Sequence, residues 1–140
     1  MSVGPLDDET VEKYREAGDV LRTVLDEAAD RVEPGVTHLE IAEFAESRIR
    51  ELADGPAFPV NISIDEEASH ATPARDDETE FGEDLVCLDA GVHVDGYIAD
   101  AATTVDLRGV PELVEASEQA LDAALDVMGP GVDTGEVGEV

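Results

Sequence analysis

The sequence predicts an α+β fold that combines amphipathic helices with an antiparallel β-sheet. In segments 7–32, 38–53 and 111–128, apolar residues recur at three- and four-residue steps, which is the period of a helix with one buried face. Segment 57–64 alternates apolar residues with smaller or polar ones, a pattern that predicts a half-buried strand. Asp95-Gly96 lies between two further apolar runs and predicts a β-hairpin, because a type I′ turn needs positive φ at both central residues.

Composition narrows the class of protein before any motif is considered. The 140 residues suit one domain, and 36 Asp and Glu against 8 Lys and Arg give a formal charge of −28. Such a charge argues against nucleic acid and anionic membrane surfaces as partners. The apolar residues are periodic, so the acidity indicates a hydrated surface rather than disorder. Proteins of high-salt cytoplasm have such surfaces, since molar salt shortens the Debye length to about 3 Å.

The sequence contains no sign of export or membrane insertion. Its one cysteine, Cys87, excludes an intrachain disulfide and suits a buried structural thiol. Residues 1–14 lack the basic and apolar regions of a signal peptide. No apolar run approaches the ~18–20 residues that a membrane span needs. We therefore expect a soluble cytoplasmic protein.

Local signals set the ends of the predicted helices. Asp7 or Asp8 can cap the first helix, and Thr37 with Glu40 forms a capping box for the second. A polar, acidic loop is expected at 65–83, between the first strand and the hairpin at 84–106. Pro111 suits the first position of a last helix, which extends to about residue 128. The apolar side chains expected to face inward from that helix include Leu113, Leu121 and Met128.

The end of the sequence repeats an earlier segment. Residues 34–44 and 130–140 align without gaps, each with Pro-Gly-Val, an N-cap residue and a glutamate three residues later. The helix at 111–128 is then the counterpart of the first helix, and a second copy of the unit begins at about 110–140. We therefore expect residues 1–140 to be one partial domain at the N-terminus of a longer protein.

The hairpin brings two aspartates to one face of the sheet. With a two-residue turn, Gly91 faces Asp100 and Asp89 faces Ala102, so the carboxylates of Asp89 and Asp100 are diagonal neighbours. Their Cβ atoms are expected to lie somewhat under ~7–8 Å apart. Aspartate is depleted in strands, and such a pair either binds a cation or lies on a solvated face. The spacing alone leaves both explanations open.

Three blocks of sequence resemble the methionine aminopeptidases. They are AFPVNISI at 57–64, HATP at 70–73 and LDAGVHVDGYIAD at 88–100. The order and spacing of these blocks fit the type 2 branch found in archaea and eukaryotes, here with the composition of a halophilic archaeon. The similarity extends over residues 6–140.

The resemblance implies a fold and a set of site residues. The fold is the α+β pita-bread fold, in which two repeated halves surround a curved antiparallel sheet with a dinuclear metal site between them. This chain would be the first half, with its helices on one face of the sheet. By resemblance, Asp89 ligates one of two divalent metal ions (Co, Mn, Fe, Zn or Ni) and Asp100 bridges both. His70 contacts the substrate amide and assists catalysis, and Phe58 is a wall of the methionine pocket.

The implied activity is the removal of the initiator methionine from nascent polypeptides near the ribosome, by a monomeric enzyme. One His and two Glu ligands and a second substrate-binding His are expected outside this sequence, so residues 1–140 alone should be inactive. Two alternatives are an Xaa-Pro peptidase of the same fold and a pita-bread interaction protein without catalysis. The HATP block at 70–73 favours the methionine enzyme, and the retention of Asp89 and Asp100 argues against the inactive protein.

Overall fold

The structure is a computed structural model that describes residues 6–67 and 70–140. The chain divides into two compact units, which meet in sequence at Leu107 and Arg108. The helices and strands follow the order that the sequence predicts, and the α+β composition is confirmed. The first unit contains α1 (Asp8–Ala29), α2 (His38–Leu52), β1 (Gly55–Ile64), β2 (Leu85–Val94) and β3 (Tyr97–Asp106), and the second contains α3 (Pro111–Val127) and α4 (Thr134–Val137).

Both helices of the first unit begin at the predicted caps. The Asp7 carboxylate accepts a hydrogen bond from the Thr10 backbone N–H at 2.8 Å. At the start of α2 the capping box is complete, since the Glu40 N–H donates to the Thr37 hydroxyl at 3.2 Å and the Thr37 N–H donates to the Glu40 carboxylate at 3.0 Å. These contacts satisfy backbone donors that a helix start otherwise leaves without partners.

The three strands form an antiparallel sheet in the order β1-β2-β3. Asp95 and Gly96 have φ values of +50° and +81°, as the two-residue turn requires. Counting outward from this turn, Gly91 pairs with Asp100 and Asp89 pairs with Ala102. The register predicted for the hairpin is therefore confirmed.

The sheet has a core face, which packs against the helices of the first unit, and an opposite face, here called the cavity face. Alternate residues of β2 divide between them, with Val86, Leu88, Ala90 and Val92 fully buried on the core face. Asp89 lies on the cavity face with its register neighbour Ala102. The core also includes Ala17, Leu21, Val24, Leu25, Ala28, Val32, Ile41, Ala42, Ala45, Ile49, Val60, Ile62 and Phe81.

Strand β1 departs from the simple alternation that its sequence suggests. The pairing of β1 with β2 shifts register between Pro56 and Phe58 and again between Phe58 and Asn61. As a result, Phe58 pairs with Gly91 on the cavity face, whereas Val60 and Ile62 are buried in the core. The simple alternation predicted for segment 57–64 therefore fails between Phe58 and Val60, because irregularities in the pairing break the two-residue period.

The end of the acidic loop is tied to the start of α2. Phe81 is 3% exposed, and its backbone N–H and C=O bond to Val36 and Gly35, each at 2.9 Å. The ring of His38 packs against that of Phe81, with centroids 4.5 Å apart. Composition predicts that this segment is polar and solvated, but the segment contributes an aromatic side chain to the core.

The second unit has the predicted local structure. Pro111 is the first residue of α3, and Asp133 with Glu136 forms a capping box at the start of α4. No residue of α3 is buried, and Leu113, Leu121 and Met128 are 56%, 59% and 60% exposed. The expectation that these side chains face inward is therefore not met in this chain. Among the helices that the structure describes, none is long and apolar enough for a membrane span.

Candidate functional site

One cavity of the first unit brings the predicted site residues together. Its volume is about 410 Å³, and Phe58, His70, Asp89 and Asp100 all line it. These side chains come from β1, the segment after it, β2 and β3, so the tertiary fold assembles residues that are far apart in sequence. Their roles stay predictions. Pro59, Asn61 and Thr72 complete the lining.

The Phe58 ring lies over Gly91, which pairs with Phe58 on one side and with Asp100 on the other. A Cβ atom at Gly91 would lie 2.4 Å from Phe58 Cε1 and 3.0 Å from the Ala57 Cβ. No side chain other than hydrogen fits at this position without moving the ring. Gly91 therefore leaves room for an aromatic ring in the cavity that the two carboxylates also line, and this ring gives the cavity one apolar wall.

Asp89 is held by a short chain of hydrogen bonds. The Asn61 amide Nδ2 donates to the Asp89 Oδ2 at 3.3 Å, and the Thr72 hydroxyl donates to the Asn61 Oδ1 at 2.6 Å. Asn61 is only 7% exposed. Neither Asn61 nor Thr72 is among the site residues predicted from the sequence. The available signal was a polar amide within an otherwise apolar strand, but its register with Asp89 depends on the irregular pairing of β1.

His70 is placed by the segment that follows it. The Ile62 backbone N–H donates to the Ala71 C=O at 2.8 Å, and Thr72 bonds to Asn61, so this segment is fixed to β1. His70 itself has a φ of +61°, in the left-handed region that few residues other than glycine adopt. Such a conformation persists only where the surrounding contacts determine it, and it is frequent at functional sites.

The two carboxylates have the chemistry of a partial metal site. Within the described residues, neither Asp89 nor Asp100 forms an ion pair with Lys or Arg. Oxygen donors of this kind suit Mn²⁺, Fe²⁺ and related divalent ions, so the residues present fit such an ion. In the described part of the chain, no group of three or more His, Cys, Asp or Glu side chains could hold a metal ion. Within the described residues, Asp89 and Asp100 therefore do not by themselves complete a metal-binding donor set.

Two further residues of β2 share the face of Asp89 but do not line the cavity. His93 pairs with Ile98, and within the described structure its Nδ1 is buried without a hydrogen-bond partner. Burial raises the pKa of the Cys87 thiol above its usual 9.0, and the negative charge of the nearby Asp89 raises this pKa further. A hydrogen bond from Thr104 acts in the opposite direction and lowers it, but by less. The raised pKa favours the protonated thiol, and Cys87 is half-buried rather than fully buried as the sequence predicts.

The hairpin tip is pinned to the helical layer. Lys13 Nζ lies 2.7 Å from the Asp95 carboxylate, and the Asp95 N–H donates to the Asp54 carboxylate at 2.6 Å. Hydrogen bonding with Lys13 lowers the pKa of Asp95 and raises that of Lys13. Tyr97 packs edge-on against Tyr14, with ring centroids 5.3 Å apart. These contacts hold the turn in place, and the turn sets the register that brings Asp89 and Asp100 together.

Comparisons with known proteins show which family and which folds this chain resembles. The sequence profile of metallopeptidase family M24 matches residues 12–140. Methionine aminopeptidase from Archaeoglobus fulgidus is 53% identical over 135 residues, which are 96% of this chain and 46% of that protein. The crystal structure of methionine aminopeptidase from Thermotoga maritima has a TM-score of 0.85 at 23% identity and covers 99% of this chain and 60% of its own. A variant of Escherichia coli aminopeptidase P in complex with substrate has a TM-score of 0.82 at 23% identity, over 94% of this chain and 31% of its own.

The chain spans about half the length of the archaeal relatives that it matches, with 46% for two of them and 44% for a third. The two solved structures are less than 25% identical and show the fold alone. That fold is the predicted one, the first part of the α+β pita-bread arrangement. The match of the family profile over most of the sequence decides the classification. The chain belongs to metallopeptidase family M24.

Proposed function

We propose that the whole protein is a methionine aminopeptidase, which removes the N-terminal methionine from nascent polypeptides, and that this chain supplies part of its site. The cavity carries the proposal, because it combines the Phe58 ring, the His70 imidazole and the carboxylates of Asp89 and Asp100. The 53% identity to a methionine aminopeptidase supports it. We further propose that the protein acts as a monomer in the cytoplasm, near the ribosome.

Asp89 and Asp100 would hold two divalent metal ions, of which Co, Mn, Fe, Zn and Ni are candidates. Such ions lower the pKa of a bound water and stabilise negative charge that develops on the substrate. The chain's own contribution is geometry. Short side chains on paired strands leave the carboxylates little freedom, and Asn61 restricts Asp89 further. A site held in this way loses little conformational entropy when it binds a cation.

Phe58 and His70 are suited to bind the substrate. The Phe58 ring offers an apolar wall to a methionine side chain, and a thioether beside an aromatic ring contributes roughly 0.3–1.5 kcal/mol. His70 carries a ring N–H that can donate to the amide of the bond being cleaved. Because its segment is fixed to β1, the imidazole is held in the same cavity as Asp89. Together they orient the peptide N-terminus toward the carboxylates.

The remaining ligands are proposed to lie outside these 140 residues. By family resemblance, two of five ligands are present, so residues 1–140 alone should neither bind a metal pair tightly nor hydrolyse peptides. The measurement is the hydrolysis of a Met-Ala-Ser peptide by purified residues 1–140, supplied with Mn²⁺ or Co²⁺. Metal-dependent turnover by this segment would contradict the proposal that the site is shared with the rest of the protein.

The decisive experiment uses the whole protein in molar KCl. We expect hydrolysis of Met-Ala-Ser peptides, loss of activity with a chelator, and recovery when Mn²⁺ or Co²⁺ is restored. Asp100→Asn should lower activity at least about 100-fold. Loss of a residue that hydrogen-bonds to a metal ligand lowers activity by up to about 100-fold, and loss of the ligand itself should cost no less. Asp76→Asn is the matched control, because it removes an equal charge from an exposed position outside the cavity.

Other outcomes would assign the protein elsewhere. Cleavage of Xaa-Pro peptides without cleavage of Met peptides would identify an Xaa-Pro peptidase, for which the likeness to aminopeptidase P shows only a shared fold. Activity that is insensitive to chelator and to Asp100→Asn would exclude the metal mechanism. A protein with no peptidase activity and no affinity for divalent ions would support the interaction protein without catalysis.

A further inference from the structure

Asn61 and Thr72 connect one proposed metal ligand to the segment that carries His70. The Thr72 hydroxyl donates to Asn61 Oδ1 at 2.6 Å, and Asn61 Nδ2 donates to Asp89 Oδ2 at 3.3 Å. Asn61, which lies between the other two residues in this series of hydrogen bonds, is only 7% exposed. A buried amide needs partners for both of its ends, and this arrangement supplies them.

The donor and acceptor groups of the three side chains determine the direction of these hydrogen bonds. An ionised carboxylate only accepts hydrogen bonds, so the Asn61 NH₂ group must face Asp89 and its carbonyl oxygen must face Thr72. The Thr72 hydroxyl is then the donor. A side chain that only accepts would repel Asp89 at position 61, and an apolar one would leave the Asp89 oxygen and the Thr72 hydroxyl without this partner.

The same contacts position the neighbouring backbone. Thr72 is two residues after His70, and the Ala71 C=O between them accepts a hydrogen bond from the Ile62 N–H at 2.8 Å. Residues 71 and 72 are thus attached to β1 at adjacent positions, one through the backbone and one through the Asn61 side chain. Replacement of the Asn61 amide would therefore remove a contact to Asp89 and a contact to the segment that follows His70.

We propose that Asn61 and Thr72 are positioning residues, which orient the Asp89 carboxylate for metal binding and keep it in register with His70. This inference rests on the proposed function, because it takes Asp89 as a metal ligand. The amide donates to Oδ2 of Asp89, which leaves Oδ1 available to an ion. Loss of a hydrogen-bond partner behind a ligand typically lowers metal affinity or activity 10–100-fold.

The test measures metal binding by the whole protein, in addition to activity. Asn61→Leu removes the amide at similar size, and Thr72→Val removes only the hydroxyl. The matched control is Ser63→Ala, since Ser63 is also 7% exposed, lies on the same strand and pairs with Cys87 outside the cavity. Calorimetry gives the Mn²⁺ affinity, and the visible absorption of the Co²⁺-loaded protein reports ligand geometry.

We expect Asn61→Leu to bind Mn²⁺ roughly 10–100-fold more weakly and to change the Co²⁺ spectrum. Thr72→Val should shift both in the same direction by a smaller amount, and Thr72→Ser should restore them. Ser63→Ala should bind like the wild type. If Asn61→Leu fails to fold in the metal-free state, judged by circular dichroism, the pair Thr72→Val and Thr72→Ser decides the question.

The outcomes separate this inference from the proposed function. A wild-type protein that binds no divalent ion would overturn both. In a second outcome, the wild-type protein binds Mn²⁺, and Asn61→Leu has the same Mn²⁺ affinity and the same Co²⁺ spectrum as the wild type. If Asn61→Leu does not fold, Thr72→Val takes its place in this comparison. This outcome would overturn the positioning role and leave the proposed function standing. Equal weakening by Asn61→Leu and Ser63→Ala would also reject it, since the effect would then reflect strand packing alone.

Discussion

Replacement of Gly91 by alanine tests whether the Phe58 ring is held against the sheet as the structure indicates. The added Cβ would lie 2.4 Å from Phe58 Cε1, 2.9 Å from Cδ1 and 3.0 Å from the Ala57 Cβ. Carbon atoms pack best at about 3.5–4.0 Å, so the ring must move by roughly 1 Å. Overpacking of this size typically costs about 1–3 kcal/mol in the free energy of unfolding.

Urea denaturation and steady-state kinetics of the whole protein measure the two consequences. We expect lower stability and a raised KM for Met peptides, because the displaced ring is a wall of the cavity. Gly18→Ala is the matched control, since nothing lies within 4 Å of its Cβ position in α1. There, alanine should stabilise the protein by roughly 0.5–1 kcal/mol, because glycine in a helix loses more backbone entropy on folding.

A double-mutant cycle assigns the effect to the ring. In a Phe58→Ala background the main clash is absent, so Gly91→Ala should cost much less than it does beside Phe58. An equal cost in the two backgrounds would refute the proposed contact. So would a Gly91→Ala protein with unchanged stability and unchanged KM.

Three further predictions concern stability. Thr37→Val breaks the capping box and should cost about 0.5–2 kcal/mol in urea denaturation, whereas Thr23→Val, at an exposed site in α1, should stay within about 0.5 kcal/mol. The hydrogen bond from Arg48 lowers the pKa of Glu27, and that from the Thr37 backbone lowers the pKa of Glu40, in each case below the usual 4.5. Their stabilisation is therefore present above that value and is lost as pH falls through the lowered pKa, so the Tm in molar KCl should drop between about pH 6 and pH 3, and a flat profile would contradict this. Because salt screens the repulsion within a formal charge of −28, the Tm should rise from dilute to molar KCl. An unchanged Tm would contradict the inference that the acidic surface is suited to high salt.

Local chemistry explains why several features were predictable. The Thr37–Glu40 capping box and the Asp95-Gly96 turn depend on residues within a few positions of each other. The register of Asp89 against Asp100 then follows by counting outward from a two-residue turn. The resemblance added Phe58 and His70, which share the cavity with these aspartates.

Features that depend on partners distant in sequence were not predictable in this way. The irregular pairing of β1 places Phe58 and Asn61 on the cavity face, and a two-residue period cannot be counted across it. The contact of Gly91 with the Phe58 ring joins positions 33 residues apart in sequence. Pinning of the hairpin tip by Lys13, 82 positions from Asp95, likewise has no local signature.

The sequence by itself determined the helices, the hairpin and the two carboxylates on one face of the sheet. These follow from backbone sterics, capping and the alternation of side chains, all of which act over a few residues. Only the tertiary structure decided how Asp89 is held and what packs beside it, through Asn61, Thr72 and Gly91. The physical reason is that hydrogen bonds and close contacts between distant segments depend on the register and packing of the folded sheet.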